Sequence, residues 1–137
     1  MAAGTTPISP RAPATDWGTA VILIANTAMD GTGIVGTVLT AGIDGAKINR
    51  LRITHLGANV ATVIRFFINN GLTNATPANN ALLGEVTVLV NVLSQVAAST
   101  SVDYPMNFVL KPSHKINYVI GTGVASGHKI VADAGDY

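Results

Sequence analysis

Apolar and polar residues alternate in short stretches along most of the chain, with Gly, Asn, Asp and Pro between the stretches. In residues 60–70, VATVIRFFINN, both sets of alternate positions are largely apolar, with Arg65 the exception. Short apolar runs of this kind, rich in β-branched and aromatic residues, indicate β-strands. No stretch repeats apolar residues at helical spacing over three turns. We therefore predict strands at about 19–26, 34–40, 47–57, 60–70, 81–91, 102–110, 115–122 and 127–133.

The composition favours an all-β fold as well. Val, Ile and Thr make up 42 of the 137 residues, and β-branched side chains are favoured on pleated surfaces. About eight short strands in a chain of this length indicate a single-domain jelly roll or β-sandwich. Pro105 lies inside a predicted strand and has no N–H to donate, so we expect an edge strand or a bulge there.

The first 17 residues differ from the rest of the chain because they contain three of its six prolines. Proline fixes φ and biases the preceding residue toward extended geometry. We predict an extended N-terminal arm over residues 1–17 and a sandwich domain over 18–137. The arm is either a frayed terminus or a segment that lies along a neighbouring subunit. Its expected contact residues are Ile8, Pro10, Pro13 and Trp17.

The low charge of the chain suggests assembly. Only 11% of the residues are charged, the formal net charge is +1 and 48% are hydrophobic, whereas about 25% charged residues are usual in soluble domains. In one register of the strands, Val63, Phe67, Val86 and Val88 point outward, although the outer face of a sandwich is normally polar. These positions predict contacts between subunits.

Several function classes are disfavoured. Balanced charge argues against a nucleic-acid partner, which needs clustered Lys and Arg. The longest apolar run, residues 20–25, is far shorter than the ~20 residues of a membrane-spanning helix, and no basic region precedes an apolar stretch as in a signal peptide. With no cysteine, the chain has neither a disulfide framework nor a thiolate metal site.

No group of residues predicts catalysis or a cofactor. Residues 31–36, GTGIVG, match a dinucleotide-binding pattern, but they lead into a predicted strand instead of the helix that this site requires. His55, His114 and His128 lack metal-ligand spacing. The acidic residues are scattered, and we expect no enzyme activity, no cofactor and no metal.

The basic residues concentrate on two predicted strands. Arg50 and Arg52 lie on one strand, and Arg65 lies on the next. Glu85 is in the middle of a later strand, where a structural ion pair with one of these arginines is favoured over catalysis. We expect ion pairs between strands or between subunits among Arg50, Arg52, Arg65 and Glu85.

Four stretches carry a resemblance to a known family: residues 46–54 (AKINRLRIT), 59–71 (NVATVIRFFINNG), 80–88 (NALLGEVTV) and 134–137 (AGDY). With them the chain resembles small β-structured virion proteins of tailed bacteriophages, many of which are jelly-roll decoration or cement proteins. The resemblance implies a homotrimer that is made in the host cytoplasm and binds the major capsid protein on the exterior of the head. A tail, baseplate or fibre module that binds carbohydrate or a receptor is the alternative.

Overall fold

Eight β-strands and one short 3-10 turn make up the regular structure of the computed structural model, which describes residues 10–137. Ile8 lies outside the described residues. The 3-10 turn is Pro77–Asn79. The strands are β1 (Ala12–Pro13), β2 (Gly36–Thr40), β3 (Ala46–His55), β4 (Thr62–Asn69), β5 (Asn80–Val88), β6 (Ser101–Leu110), β7 (Lys115–Ile120) and β8 (His128–Asp136).

The strands form two four-stranded antiparallel sheets, as the alternating pattern predicted. Sheet A has the order β1-β8-β3-β6, and sheet B has the order β2-β7-β4-β5. The pairs β1–β8, β2–β7, β3–β6 and β4–β5 are neighbours, as if one long hairpin had been rolled up, which is the order of a jelly roll. The prediction of an all-β, single-domain sandwich of about eight strands is confirmed.

Apolar side chains from the facing sides of the two sheets form one continuous core. Ile48 and Leu51 of sheet A and Ile64 and Phe66 of sheet B are fully buried in it. The Phe66 ring packs against Tyr104 of β6, with 5.2 Å between the ring centroids. Seven of the eight predicted strands lie within a few residues of β2 to β8, because the burial of one face imposes the two-residue period that the sequence displays.

The predicted strand at residues 19–26 is wrong. Only Ile22 of its apolar run is buried in the core, and no strand pairs with this segment. Single hydrogen bonds hold it instead: the Val124 N–H donates to the Leu23 carbonyl at 3.0 Å, and the Asn26 N–H donates to the Ile120 carbonyl at 2.8 Å. An apolar run favours a strand only where a neighbouring edge is free to pair, and here the chain is crossing from sheet A to sheet B.

The remaining strand, β1, was not among the predicted strands and lies inside the predicted N-terminal arm. Ala12 pairs with Asp136 and Pro13 with Gly135 of β8, and Asp16 forms a further bridge to Ala132. Proline is tolerated there because β1 is an edge strand and one side of it needs no N–H donor. The described part of the arm is therefore extended and lies along β8 of its own chain.

The pairing of β3 with β6 is irregular near Pro105, where the sequence predicted an edge strand or a bulge. Pro105 is on β6, the edge strand of sheet A, and the register of β3 against β6 shifts between the pairs Ile48–Phe108 and Arg50–Pro105. Asn107, within the shifted stretch, has a φ of 44°. The edge position and the bulge that Pro105 predicted are both present.

The outward apolar positions predicted on sheet B are largely covered within the chain itself. Val88 is buried in the core and Val86 packs against it, so both face inward. Phe67 follows Phe66 directly, and both are fully buried, although successive strand residues point to opposite faces. Val63 is partly buried. Apolar residues on both faces of these strands therefore do not by themselves indicate subunit contacts.

Candidate interaction surface

Three loops and one incoming segment meet at one end of the sandwich. The loops are residues 56–61 between β3 and β4, 89–100 between β5 and β6, and 121–127 between β7 and β8. The segment 20–25 lies against the last of these, because the Leu23 carbonyl accepts from the Val124 N–H. We call these four stretches together the apolar end.

The apolar end carries no charged side chain, and much of its surface is aliphatic. None of its four stretches contains Asp, Glu, Lys or Arg, and the chain has no charged residue between Glu85 and Asp103. Of the seventeen large hydrophobic side chains that are exposed in residues 10–137, ten belong to this end, with exposures from 40% to 98%. They are Val21, Leu23, Ile24, Leu56, Val60, Leu89, Val90, Val92, Leu93 and Val96.

Two buried asparagines fasten the three loops together. The backbone N–H of Asn59 donates to the Asn91 carbonyl at 3.1 Å, and the Asn91 N–H donates back at 2.9 Å. The Asn59 side chain donates to the Gly127 carbonyl at 2.8 Å and accepts from the N–H groups of Ser126 and Gly127, each at 2.9 Å. The Asn91 side chain donates to the Gly57 carbonyl at 2.9 Å. The base of the apolar end is thus held together by hydrogen bonds among its own polar groups.

A pair of histidines lies directly below these loops. His55 ends β3 and His128 begins β8; the two residues pair in register, and their ring centroids are 5.0 Å apart. His128 is 1% exposed, and within the described part of the chain neither of its ring nitrogens has a hydrogen-bond partner. Burial, and secondarily the neighbouring His55, lowers the pKa of His128 to about 4. Burial also lowers the pKa of His55.

The opposite end of the sandwich is polar. An asparagine-rich connection joins β4 to β5 there, and its amides bond to one another: Asn69 donates to Asn80 at 2.9 Å and Asn70 donates to Asn79 at 3.0 Å. The Asn74 side chain donates to two carbonyls of the loop that leads into β2. The exposed apolar side chains at this end include Ile43 and Leu72, which lie in different loops.

The arginines and acids form ion pairs between strands on both sheets. Arg52 Nε lies 2.8 Å from the Asp103 carboxylate, and Arg50 lies 3.6 Å from Asp103 and 3.7 Å from Asp133. The hydrogen bond with Arg52 lowers the pKa of Asp103, and the same bond raises the pKa of Arg52. These three strands, β6, β3 and β8, are neighbours in sheet A.

Arg65 and Glu85 form a separate pair on sheet B, where they are directly opposite each other in the register of β4 and β5, with Arg65 Nε 3.4 Å from Glu85 Oε1. Glu85 therefore lies on the other sheet from Arg50 and Arg52 and does not pair with them. The sequence did not identify Asp103 and Asp133 as the partners of Arg50 and Arg52, because pairing across strands depends on their register.

The remaining predicted contact residues lie along one edge. Pro10 and Pro13 are exposed beside β8, and Trp17 is exposed where the chain leaves sheet A. The apolar end itself was missed from sequence, although it had a signal: residues 89–96, LVNVLSQV, combine aliphatic side chains with a complete lack of charge. All five aliphatic residues of this stretch are exposed in the folded chain.

The residue patterns considered for a metal, a dinucleotide or a membrane span can be compared with the described structure. Within residues 10–137, no group of three or more His, Asp or Glu side chains could hold a metal ion. The glycine-rich residues 31–36 lead into strand β2. No helix in the described range has the length and apolar character needed to cross a membrane.

Comparisons with protein-family models, with curated proteins and with solved structures gave no match to this chain. Within residues 10–137, the sandwich presents a neutral, aliphatic area at one end. Large exposed apolar patches mark interaction sites, because isolated soluble domains rarely tolerate them.

Proposed function

We propose that this chain is a non-enzymatic structural protein of a virion. In this proposal, it assembles as a homotrimer on the capsid exterior, binds the major capsid protein and cements the head. The observation that carries the proposal is the apolar end, where ten aliphatic side chains are exposed and no charged residue is present.

The size of the apolar end is suited to stable assembly. A fully exposed Val, Leu or Ile offers roughly 60–120 Å² of apolar area, from 1.5–3 kcal/mol at 25 cal/mol per Å². Scaled by their exposures, the ten side chains present roughly 400–700 Å², or about 10–18 kcal/mol of gross burial energy. Association costs about 4–15 kcal/mol in lost freedom. Burial of this end therefore offsets most of this cost, and the matching area that the partner buries adds to the gain.

The jelly-roll order adds support at the level of the fold. Eight-stranded jelly rolls occur in viral capsid and lectin domains, and the sequence resembles phage decoration proteins in its strand and turn texture. A fold does not determine a function. The fold therefore strengthens the proposal only together with the apolar end, which a capsid-associated oligomer would bury.

A carbohydrate- or receptor-binding module on a tail or fibre is the second candidate. The observation that favours it is Trp17, the only aromatic residue among the exposed large hydrophobic side chains of residues 10–137. Sugar-binding sites generally use an exposed aromatic ring. A glycan array gives the test: specific hits that Trp17→Ala abolishes would favour this candidate over the capsid proposal.

The capsid proposal is tested by reconstitution. Phage heads prepared without this protein are mixed with the purified full chain and pelleted, and DNA release is followed on heating. We expect saturable cosedimentation and release at a higher temperature. If the chain stays in the supernatant at concentrations well above that of the capsid subunits, it is not a cement protein.

A further inference from the structure

We infer that the apolar end is the surface through which copies of this chain meet one another. Residues 56–61, 89–100 and 121–127 of each copy would approach a common rotation axis, and the partner is a second copy of the same chain. This inference deepens the proposed function, and it rests on that proposal only for the expectation that the protein assembles.

The absence of charge is the first argument for a second copy as the partner. Near a rotation axis each residue faces its own counterpart, so that any charged side chain would meet a charge of the same sign. None of the stretches of the apolar end contains Asp, Glu, Lys or Arg. Interfaces between different proteins commonly use complementary charges for selection of the partner. This end offers none.

The area is the second argument. A standard interface buries about 800 Å² on each partner, and in homo-oligomers about 65% of it is apolar, or roughly 500 Å². The ten exposed side chains offer roughly 400–700 Å² when each contributes about 60–120 Å² at full exposure. One end of the sandwich thus supplies the apolar part of one complete interface.

The third argument is that the surface is already ordered. Asn59 and Asn91 tie the three loops together through the reciprocal backbone bonds of 3.1 and 2.9 Å and through their side-chain amides. Loops that are fixed before binding lose little conformational freedom on association. Val92 directly follows Asn91, and the Ser94 hydroxyl accepts from the Val96 and Ala97 N–H groups at 3.2 Å, which forms a local turn at Val96. The exposures of Val92 and Val96 are 77% and 98%.

The first described strand lies away from this surface. The Arg11 N–H donates to the Asp136 carbonyl at 2.8 Å, and Asp136 is at the end of β8 that lies farthest from His128 and the apolar end. Ala12 and Pro13 pair with this same end of β8, so β1 does not cover the apolar end.

The test compares the mass of the full chain and of two lysine variants by sedimentation equilibrium over a range of concentrations. Val96→Lys places a cation in the apolar end, and Ile43→Lys places one on a similarly exposed β-branched residue of the polar end. We expect the parent and Ile43→Lys to form the same closed oligomer. For Val96→Lys we expect the dissociation constant to rise at least about tenfold, because like charges meet at the axis.

Circular dichroism distinguishes dissociation from unfolding, because a Val96→Lys variant that dissociates but stays folded retains the β spectrum. Val92→Lys provides an independent second variant on the same loop. If the parent is monomeric, or if both apolar-end variants associate as tightly as the parent, the inference is wrong. Binding to heads is measured separately. A monomeric parent that still cosediments with heads would overturn this inference and leave the capsid-binding part of the proposed function intact.

Discussion

Acidification should destabilise this protein through one buried ring, that of His128. The ring is 1% exposed and its two nitrogens have no hydrogen-bond partner among residues 10–137, so the fold favours the neutral form. Burial and the adjacent His55 lower the pKa to about 4 in the folded chain, against about 6.5 in an unfolded one. The pKa of His128 is lower in the folded chain than in the unfolded one. The unfolding free energy therefore has its full value above about pH 6.5 and falls as the pH decreases toward 4.

The magnitude follows from linkage. With these two pKa values, the unfolding free energy falls by about 2 kcal/mol between pH 7 and pH 5 and by about 3 kcal/mol at pH 4. Both figures are upper bounds on the loss of unfolding free energy, since local opening lets water reach the His128 ring. For a domain with a stability of about 5–15 kcal/mol, a loss of this size is readily measured.

The assay is urea unfolding of the parent and of His128→Leu at pH 7, 6, 5 and 4. The variant removes two unpartnered buried nitrogens, so we expect it to be at least as stable at pH 7. The difference between the two proteins should then grow to about 3 kcal/mol at pH 4. His55→Leu removes only the secondary cause and should keep most of the dependence. Parallel pH profiles for the parent and His128→Leu would refute the reasoning.

Three further substitutions test the packing and polar contacts. Phe66→Ala removes a fully buried ring and should cost about 3–5 kcal/mol of unfolding free energy in urea; a cost below about 1 kcal/mol would contradict the core assignment. Asn59→Ala leaves the Ser126 and Gly127 N–H groups without their side-chain acceptor, while the Gly127 carbonyl keeps the Leu56 N–H. It should cost at least about 2 kcal/mol, with faster amide exchange at Gly127 as the local readout. Arg52→Gln breaks only the exposed pair with Asp103, so its thermal midpoint should stay close to that of the parent in low and high salt; a loss comparable to that of Phe66→Ala would contradict this.

Sequence pattern was sufficient for most of the strands because burial of one face forces a two-residue period. It failed at residues 20–25, where an apolar run as strong as any core strand crosses the end of the sandwich and buries only Ile22. It also missed β1, since Ala12 and Pro13 show no strand pattern and are placed by the free edge of β8. Pairing with a distant edge is a property of the fold and leaves no local signal.

The candidate site was less predictable than the fold. Low overall charge indicated buried surface somewhere, and the outward positions of β4 and β5 were the natural place to expect it. Phe67 and Val88 proved to be buried within the single chain. The unpaired surface lies instead in loops, and their common end is defined only when the order of the strands is known.

The central claim is that this chain is a structural component of the virion head. Its most direct test is electron cryomicroscopy of purified virions, compared with virions from which the gene has been deleted. The account predicts additional density on the outer surface of the head, into which copies of the eight-stranded sandwich fit with their apolar ends facing a local symmetry axis. Density confined to the tail, or virions that are identical with and without the gene, would contradict it.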